Sequence, residues 1–274
     1  MALISLSLQG KSALVVIAHG SPSDTWNNTV LELEKRLNRI EIPGICYKRV
    51  ALMEFAQPNI QSVIQDCERH QIDTVFALPL FISPSGHSED DIPNLLGLKY
   101  NPKVRRELAA EGAGLVRTQM HIIVGPTLME SGILERAIAR RVKALSVNPQ
   151  KEAVVLLAHG DPNRDGFWKT IMNNCSNAIK ADGFTFVDYQ LIGMGQNFTG
   201  DVMPVLASAR NSRERIIVQG VYLVSNVGSM ARMSGMQNGA SGDIVFGEAG
   251  ILPEGADDVL NWIVKTVEEW ISEK

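Results

Sequence analysis

Val15-Val16-Ile17-Ala18-His19-Gly20-Ser21-Pro22 is the stretch on which the fold turns. An apolar, β-branched run stops at a histidine, and glycine and proline turn signals follow at once. A strand that is apolar at successive positions is buried on both faces, as in the middle of a parallel sheet. In open α/β sheets, ligands collect outside the carboxyl ends of the strands. His19 therefore stands where such a sheet does its chemistry.

Working outward, Trp26, Val30, Leu33 and Leu37 recur at helical spacing and predict a helix over 25–40, capped by Ser23 or Asp24 and closed by Pro43-Gly44. A strand is expected over 45–53, a helix over 58–67, and an almost wholly apolar strand over 74–82. Ser83-Pro84-Ser85-Gly86-His87 breaks that strand, and a polar, proline-containing stretch follows. A short helix over 103–111, a strand over 121–124 and a helix over 134–145 complete the series before Asn148-Pro149. Strand and helix alternate, which builds βαβ units and a parallel sheet covered on both sides.

The chain then repeats itself. Ala153-Val154-Val155-Leu156-Leu157-Ala158-His159-Gly160-Asp161-Pro162 echoes the opening strand and its ending. Residues 215–225 echo 74–83, and Ile244-Val245-Phe246-Gly247 echoes Ile122-Ile123-Val124-Gly125. Such a repeat means two copies of one α/β domain, expected at 1–148 and 149–274.

The two copies differ where the strands end. Ser83-Pro84-Ser85-Gly86-His87 corresponds to Ser225-Asn226-Val227-Gly228-Ser229, which carries serine in the place of histidine. Val50-Ala51-Leu52-Met53-Glu54 corresponds most simply to Gln190-Leu191-Ile192-Gly193-Met194, a thioether for a carboxylate. The first copy thus gathers His19, Glu54 and His87 at one sheet edge, while the second keeps only His159. A strand end needs its turn residues, which both copies have. It does not need the imidazoles and the carboxylate, so that trio is the candidate site.

Composition narrows the function. The 274 residues are 45% hydrophobic and 20% charged, the balance of a globular protein. A formal net charge of -4 argues against nucleic-acid and anionic-membrane partners. Cys46, Cys67 and Cys175 show no C-x-x-C spacing and read as reduced thiols, without a disulfide framework or a thiolate zinc knuckle. Residues 1–10 carry no basic leader or cleavage motif, and no apolar run reaches the ~20 residues that span a bilayer. The expectation is a cytoplasmic protein. No P-loop occurs, and Gly193-Met194-Gly195 lacks the third glycine of a dinucleotide fingerprint.

Two imidazoles and one carboxylate suit a first-row divalent ion. Three protein ligands leave coordination positions open, as in a reactive site. Ala18-His19-Gly20-Ser21, Leu52-Met53-Glu54-x-x-x-Pro58 and Pro79-Leu80-Phe81-x-Ser83-Pro84-x-Gly86-His87-x-x-x-Asp91-Ile92-Pro93 together resemble the class II chelatases of cobalamin and sirohaem synthesis. The long third-strand motif carries most of the resemblance, which spans the chain as a long, two-lobed form. It implies two tandem flavodoxin-like (chelatase-like) domains, with the active site in the first and a degenerate copy in the second. It also implies insertion of cobalt or iron, less readily nickel, into sirohydrochlorin or a related tetrapyrrole. By motif, His19, His87 and Glu54 would hold the metal and handle the pyrrole protons. No cofactor is implied beyond the substrate metal (Co2+ or Fe2+), and the partner is the tetrapyrrole, bound by a monomer or a homodimer.

Bland readings stand beside the sharp ones. His19 and His87 could each simply cap a strand, and His159 could keep a structural hydrogen bond. His70 and His121 read as structural. Met230, Met233 and Met236 read as adaptable packing. Arg105, Arg106, Arg117, Arg232 and Lys48-Arg49 are candidates to meet substrate carboxylates. The acidic run Ser88-Glu89-Asp90-Asp91 and the long stretch from Leu95 to Met120 could shape a substrate mouth. Two other functions remain open: a non-catalytic metal or tetrapyrrole carrier on the same fold, and a hydrolase or phosphoryl-transfer enzyme with His19 as nucleophile.

Overall fold

The computed structural model describes residues 10–193, 195–236 and 243–273. The first sheet is built from β1 (Ser12–Ala18), β2 (Ile45–Leu52), β3 (Thr74–Pro79) and β4 (His121–Val124), in the order β2-β1-β3-β4 and parallel throughout. The second repeats it with β5 (Glu152–Ala158), β6 (Phe186–Leu191), β7 (Arg215–Gly220) and β8 (Ile244–Phe246), in the order β6-β5-β7-β8. β1 and β5 are central, and every residue in both is buried. That accounts for their unbroken apolar run.

The helices are α1 (Asp24–Leu37), α2 (Ile60–Arg69), α3 (Ile92–Leu95), α4 (Pro102–Ala110), α5 (Ile133–Leu145), α6 (Asp165–Ala181), α7 (Phe198–Arg210), α8 (Val227–Met233) and α9 (Ala256–Ser272). Ser23 caps α1 by accepting from the Trp26 amide, one of the two caps expected. The helix ends at Leu37, well before Pro43-Gly44. The third strand also stops early, at Pro79. Beyond it the polar stretch is not a loop. A five-residue π-helix, His87–Asp91, runs straight into α3.

Packing divides the chain differently from the repeat. The described residues of Met1–Leu80, Gly86–Pro126 and Leu260–Lys274 form one compact unit, and those of Phe81–Ser85 and Thr127–Val259 the other. Within the first unit, Trp270 near the end of α9 stacks on Phe76 of β3, with ring centroids 4.6 Å apart. Within the second, α5, encoded in the first repeat, packs against α6 and β7. The expected halves, 1–148 and 149–274, follow the repeat; the amphipathic helices near each junction are shared out otherwise.

Strand register corrects one correspondence. Ala18 pairs with Leu52 and Ala158 with Leu191. One step on, the Glu54 amide donates to the His19 carbonyl (2.9 Å), as the Gly193 amide does to the His159 carbonyl (2.8 Å). The counterpart of Glu54 is therefore Gly193. Met194, its expected counterpart, lies outside the described residues, as do residues 1–9.

Candidate functional site

Three strand ends of the first unit converge. His19 follows β1, Glu54 follows β2 by two residues, and His87 opens the π-helix after β3. One ligand atom from each lies within 4.8 Å of the other two, and the three form the sole cluster of this kind among the described residues. Donors around a tetrahedral ion at ~2.1 Å stand roughly 3.4 Å apart. Small side-chain adjustments would therefore close the trio on an ion. All three side chains are partly buried, which leaves one side open to solvent.

Backbone locks this arrangement. Gly20 has φ +91, and a Cβ there would sit 2.2 Å from the Glu54 carbonyl oxygen. Only glycine lets the turn after β1 press this closely on the turn after β2. The same glycine carbonyl lies 2.9 Å from His19 Nδ1. A carbonyl can only accept, so Nδ1 carries the hydrogen and Nε2 the lone pair.

His87 is oriented by a different partner. Its Nδ1 stands 2.7 Å from Asp91 Oδ2, one π-helical turn on. A carboxylate on one imidazole nitrogen fixes the tautomer and makes the other nitrogen a better ligand. The hydrogen bond to Asp91 also raises the His87 pKa above the ordinary imidazole value, against the opposing effect of burial; the charges of Asp91, Glu54 and Glu111 add to the rise. In the sequence Asp91 stands in an acidic run and in the tail of the third-strand motif, without a role assigned to it. Its spacing of four from His87 is the available signal, since residues three and four apart share a helix face. The two imidazole rings meet edge-on, with centroids 4.7 Å apart at 77°.

Other expected residues are placed elsewhere. Lys48 and Arg49 sit in mid-strand, paired in register with Leu14 and Val15, and not at the rim. Arg49 is held by Glu34 (3.1 Å) and Asp66 (3.0 Å), and Lys48 donates to the Ile40 carbonyl. Arg232 pairs with Glu248 and Ser229. Arg105 lies over the Tyr100 ring at 4.7 Å and donates to the Lys99 carbonyl. Met230 and Met236 pack against the core of the second sheet, whereas Met233 is 89% exposed. His70 stacks on Tyr47 at 4.4 Å. At the second rim His159 Nδ1 is 2.7 Å from the Gly193 carbonyl, and its ring meets Tyr222 edge-on at 4.7 Å.

No helix among the described residues is long and apolar enough to cross a membrane. Known proteins resemble the chain at two levels. The CbiX family matches residues 13–145. A sirohydrochlorin cobaltochelatase from Methanococcus maripaludis is 34% identical over 86 residues, which are 31% of this chain and 58% of that relative. The one from Methanocaldococcus jannaschii is 28% identical over 86 residues, 31% of this chain and 59% of its own. The chain thus spans less than two thirds of either relative. Among solved structures, the sirohydrochlorin chelatase SirB from Bacillus subtilis subspecies spizizenii, in complex with cobalt, superposes with a TM-score of 0.65 at 16% identity. That match covers 94% of this chain and 96% of SirB. At such identity the likeness is one of fold, and it extends over both sheets.

Proposed function

We propose that the chain, whose residues 13–145 match the CbiX family, inserts cobalt or iron into sirohydrochlorin or a closely related tetrapyrrole. The observation that carries the proposal is the meeting of His19, Glu54 and His87 within 4.8 Å at one sheet edge. The names of the relatives support the substrate class.

Insertion exchanges one divalent ion for two pyrrole N–H protons. His19 and His87 each offer Nε2, and Glu54 a carboxylate oxygen, to the incoming ion, which is itself a substrate. Imidazole and carboxylate bind such an ion and release it again, where thiolates would retain a soft one. As ring nitrogens displace the protein ligands one by one, each vacated imidazole or carboxylate becomes a base beside a pyrrole N–H. His87 is suited to accept a proton because Asp91 stabilises the resulting imidazolium. The charge of the ion lowers the pKa of the protons it replaces.

The test is sirohydrochlorin mixed anaerobically with excess cobalt, iron or nickel and a trace of protein, followed by absorbance. A chelatase converts many equivalents. A carrier stops at one equivalent, and that result would overturn the proposal.

A further inference from the structure

Two non-glycine residues among those described have positive φ, Gln71 (φ 57) and Phe55 (φ 67). Gln71 has an ordinary cause: it follows the last turn of α2, and the Ile72 amide reaches back to the Cys67 carbonyl to close that helix. Phe55 ends no helix. It is the middle residue of a turn closed by the Ala56 amide on the Glu54 carbonyl (2.8 Å), an i to i+2 bond whose positive-φ form is rare and strained. A bulky aromatic residue is among the worst suited to that conformation. The turn leaves Phe55 63% exposed, where an ordinary phenylalanine would be covered. Backbone strain and an uncovered aromatic ring thus coincide one residue after Glu54.

The ring is also placed beside the trio. Its centroid is 6.0 Å from that of His19, with the two planes 31° apart. The Nε2 lone pair lies in the imidazole plane, so a flat ring facing it stands upright to that plane and steeply inclined to the phenyl ring. Phe55 further borders a cavity of about 290 Å3 whose wall includes Glu54.

We infer that Phe55 is an aromatic wall for a flat conjugated macrocycle, meeting an outer pyrrole edge to face while the central nitrogens face His19 Nε2. Edge-to-face contact of two π-systems adds to the area they bury. The strained turn supplies orientation: a relaxed turn would not hold the phenyl face beside the imidazole, and strain kept at a site is characteristic of groups fixed in advance of their ligand. This role rests on the chelatase function proposed above, but it is a statement about macrocycle binding and can be read without turnover.

The experiment titrates full-length protein with metal-free sirohydrochlorin under anaerobic conditions and follows absorbance. Wild type is compared with Phe55→Ala, Phe55→Gly and Phe55→Trp. Alanine and glycine should weaken binding about tenfold, the upper end of what an edge-to-face aromatic pair contributes. Tryptophan should restore it, with its added indole emission quenched by the bound macrocycle. In turnover with cobalt, KM for sirohydrochlorin should rise by a similar factor while kcat falls much less, as when uniform binding is removed. Glycine relieves the positive φ, so Phe55→Gly should melt at or above the wild-type temperature and yet bind weakly. A structural role would predict the reverse order.

Equal affinity in wild type and Phe55→Ala would overturn the wall, as would a loss of self-association with affinity unchanged. Wild-type binding weakened by Phe55→Ala, without insertion of any metal, would sustain the wall and sink the chelatase reading. Failure of wild type to bind sirohydrochlorin at all would end both.

Discussion

At the rim of the first sheet the His19 ring meets His87 edge-on at 4.7 Å; at the rim of the second the His159 ring meets Tyr222 edge-on at the same 4.7 Å. Both histidines follow a fully buried central strand, and each main-chain carbonyl accepts from the residue two beyond the neighbouring strand. In the first unit that residue is Glu54, and in the second it is Gly193. The scaffold reproduces the position of one imidazole twice. The second copy surrounds it with a phenol ring and a glycine, which do not supply the several donors a divalent ion needs. An imidazole at a strand end is thus an outcome of the fold, and a metal site is an outcome of its neighbours.

The largest test of that contrast removes one imidazole from each rim. His87→Ala should lower insertion by ~10³-fold, the usual scale for a group that moves a proton in the reaction. His159→Ala should leave the rate within about twofold. Equal losses in steady-state assays would mean that both rims take part.

The glycines after the two histidines give the next contrast. At Gly20 an added Cβ would meet the Glu54 backbone oxygen at 2.2 Å, whereas at Gly160 it would meet the Leu191 side chain at 3.0 Å. The first approach is a severe overlap and the second only a tight contact. Gly20→Ala should cost about 3 kcal/mol in urea denaturation and displace Glu54. Gly160→Ala should cost about 1–2 kcal/mol, the penalty of the left-handed conformation alone.

Asp91 sharpens the difference in a third way. Its hydrogen bond raises the His87 pKa, so the proton competes with the metal up to a higher pH than for an ordinary imidazole. The acid limb of kcat/KM should therefore lie above about pH 6.5. Asp91→Asn should move that limb to lower pH and reduce cobalt affinity about 10–100-fold. An unmoved limb would assign it to another group.

The smallest effect belongs to the second rim. The Tyr222 hydroxyl is buried without a hydrogen-bond partner among the described residues. Burial raises its pKa beyond the usual phenol range. Tyr222→Phe should stabilise the protein by about 1 kcal/mol, read as a higher urea midpoint, because an unsatisfied hydroxyl is removed.

Much of this is legible in the chain. Burial on both faces forces β1 and β5 to be apolar at nearly every position, so their ends and the histidines after them stand out. The trio is legible because the repeat supplies an internal comparison. The loops are harder. They have no period of their own, so simple alignment matches Glu54 to Met194 when hydrogen bonding sets it against Gly193. The stretch after His87 looks polar and irregular around Pro93, yet proline is tolerated in a first helical turn, and the π-helix there carries the bond to Asp91.

By itself the sequence determined two parallel sheets, their strand ends, and which copy bears His19, Glu54 and His87, since each follows from burial pattern or from side-chain identity. Tertiary structure alone decided that α5 packs with α6 and that Trp270 covers Phe76. An amphipathic stripe states that a helix must be covered but not by which sheet. Tertiary structure also decided that a strained turn directs Phe55 outward beside His19, because φ at one residue is set by the contacts that close around it.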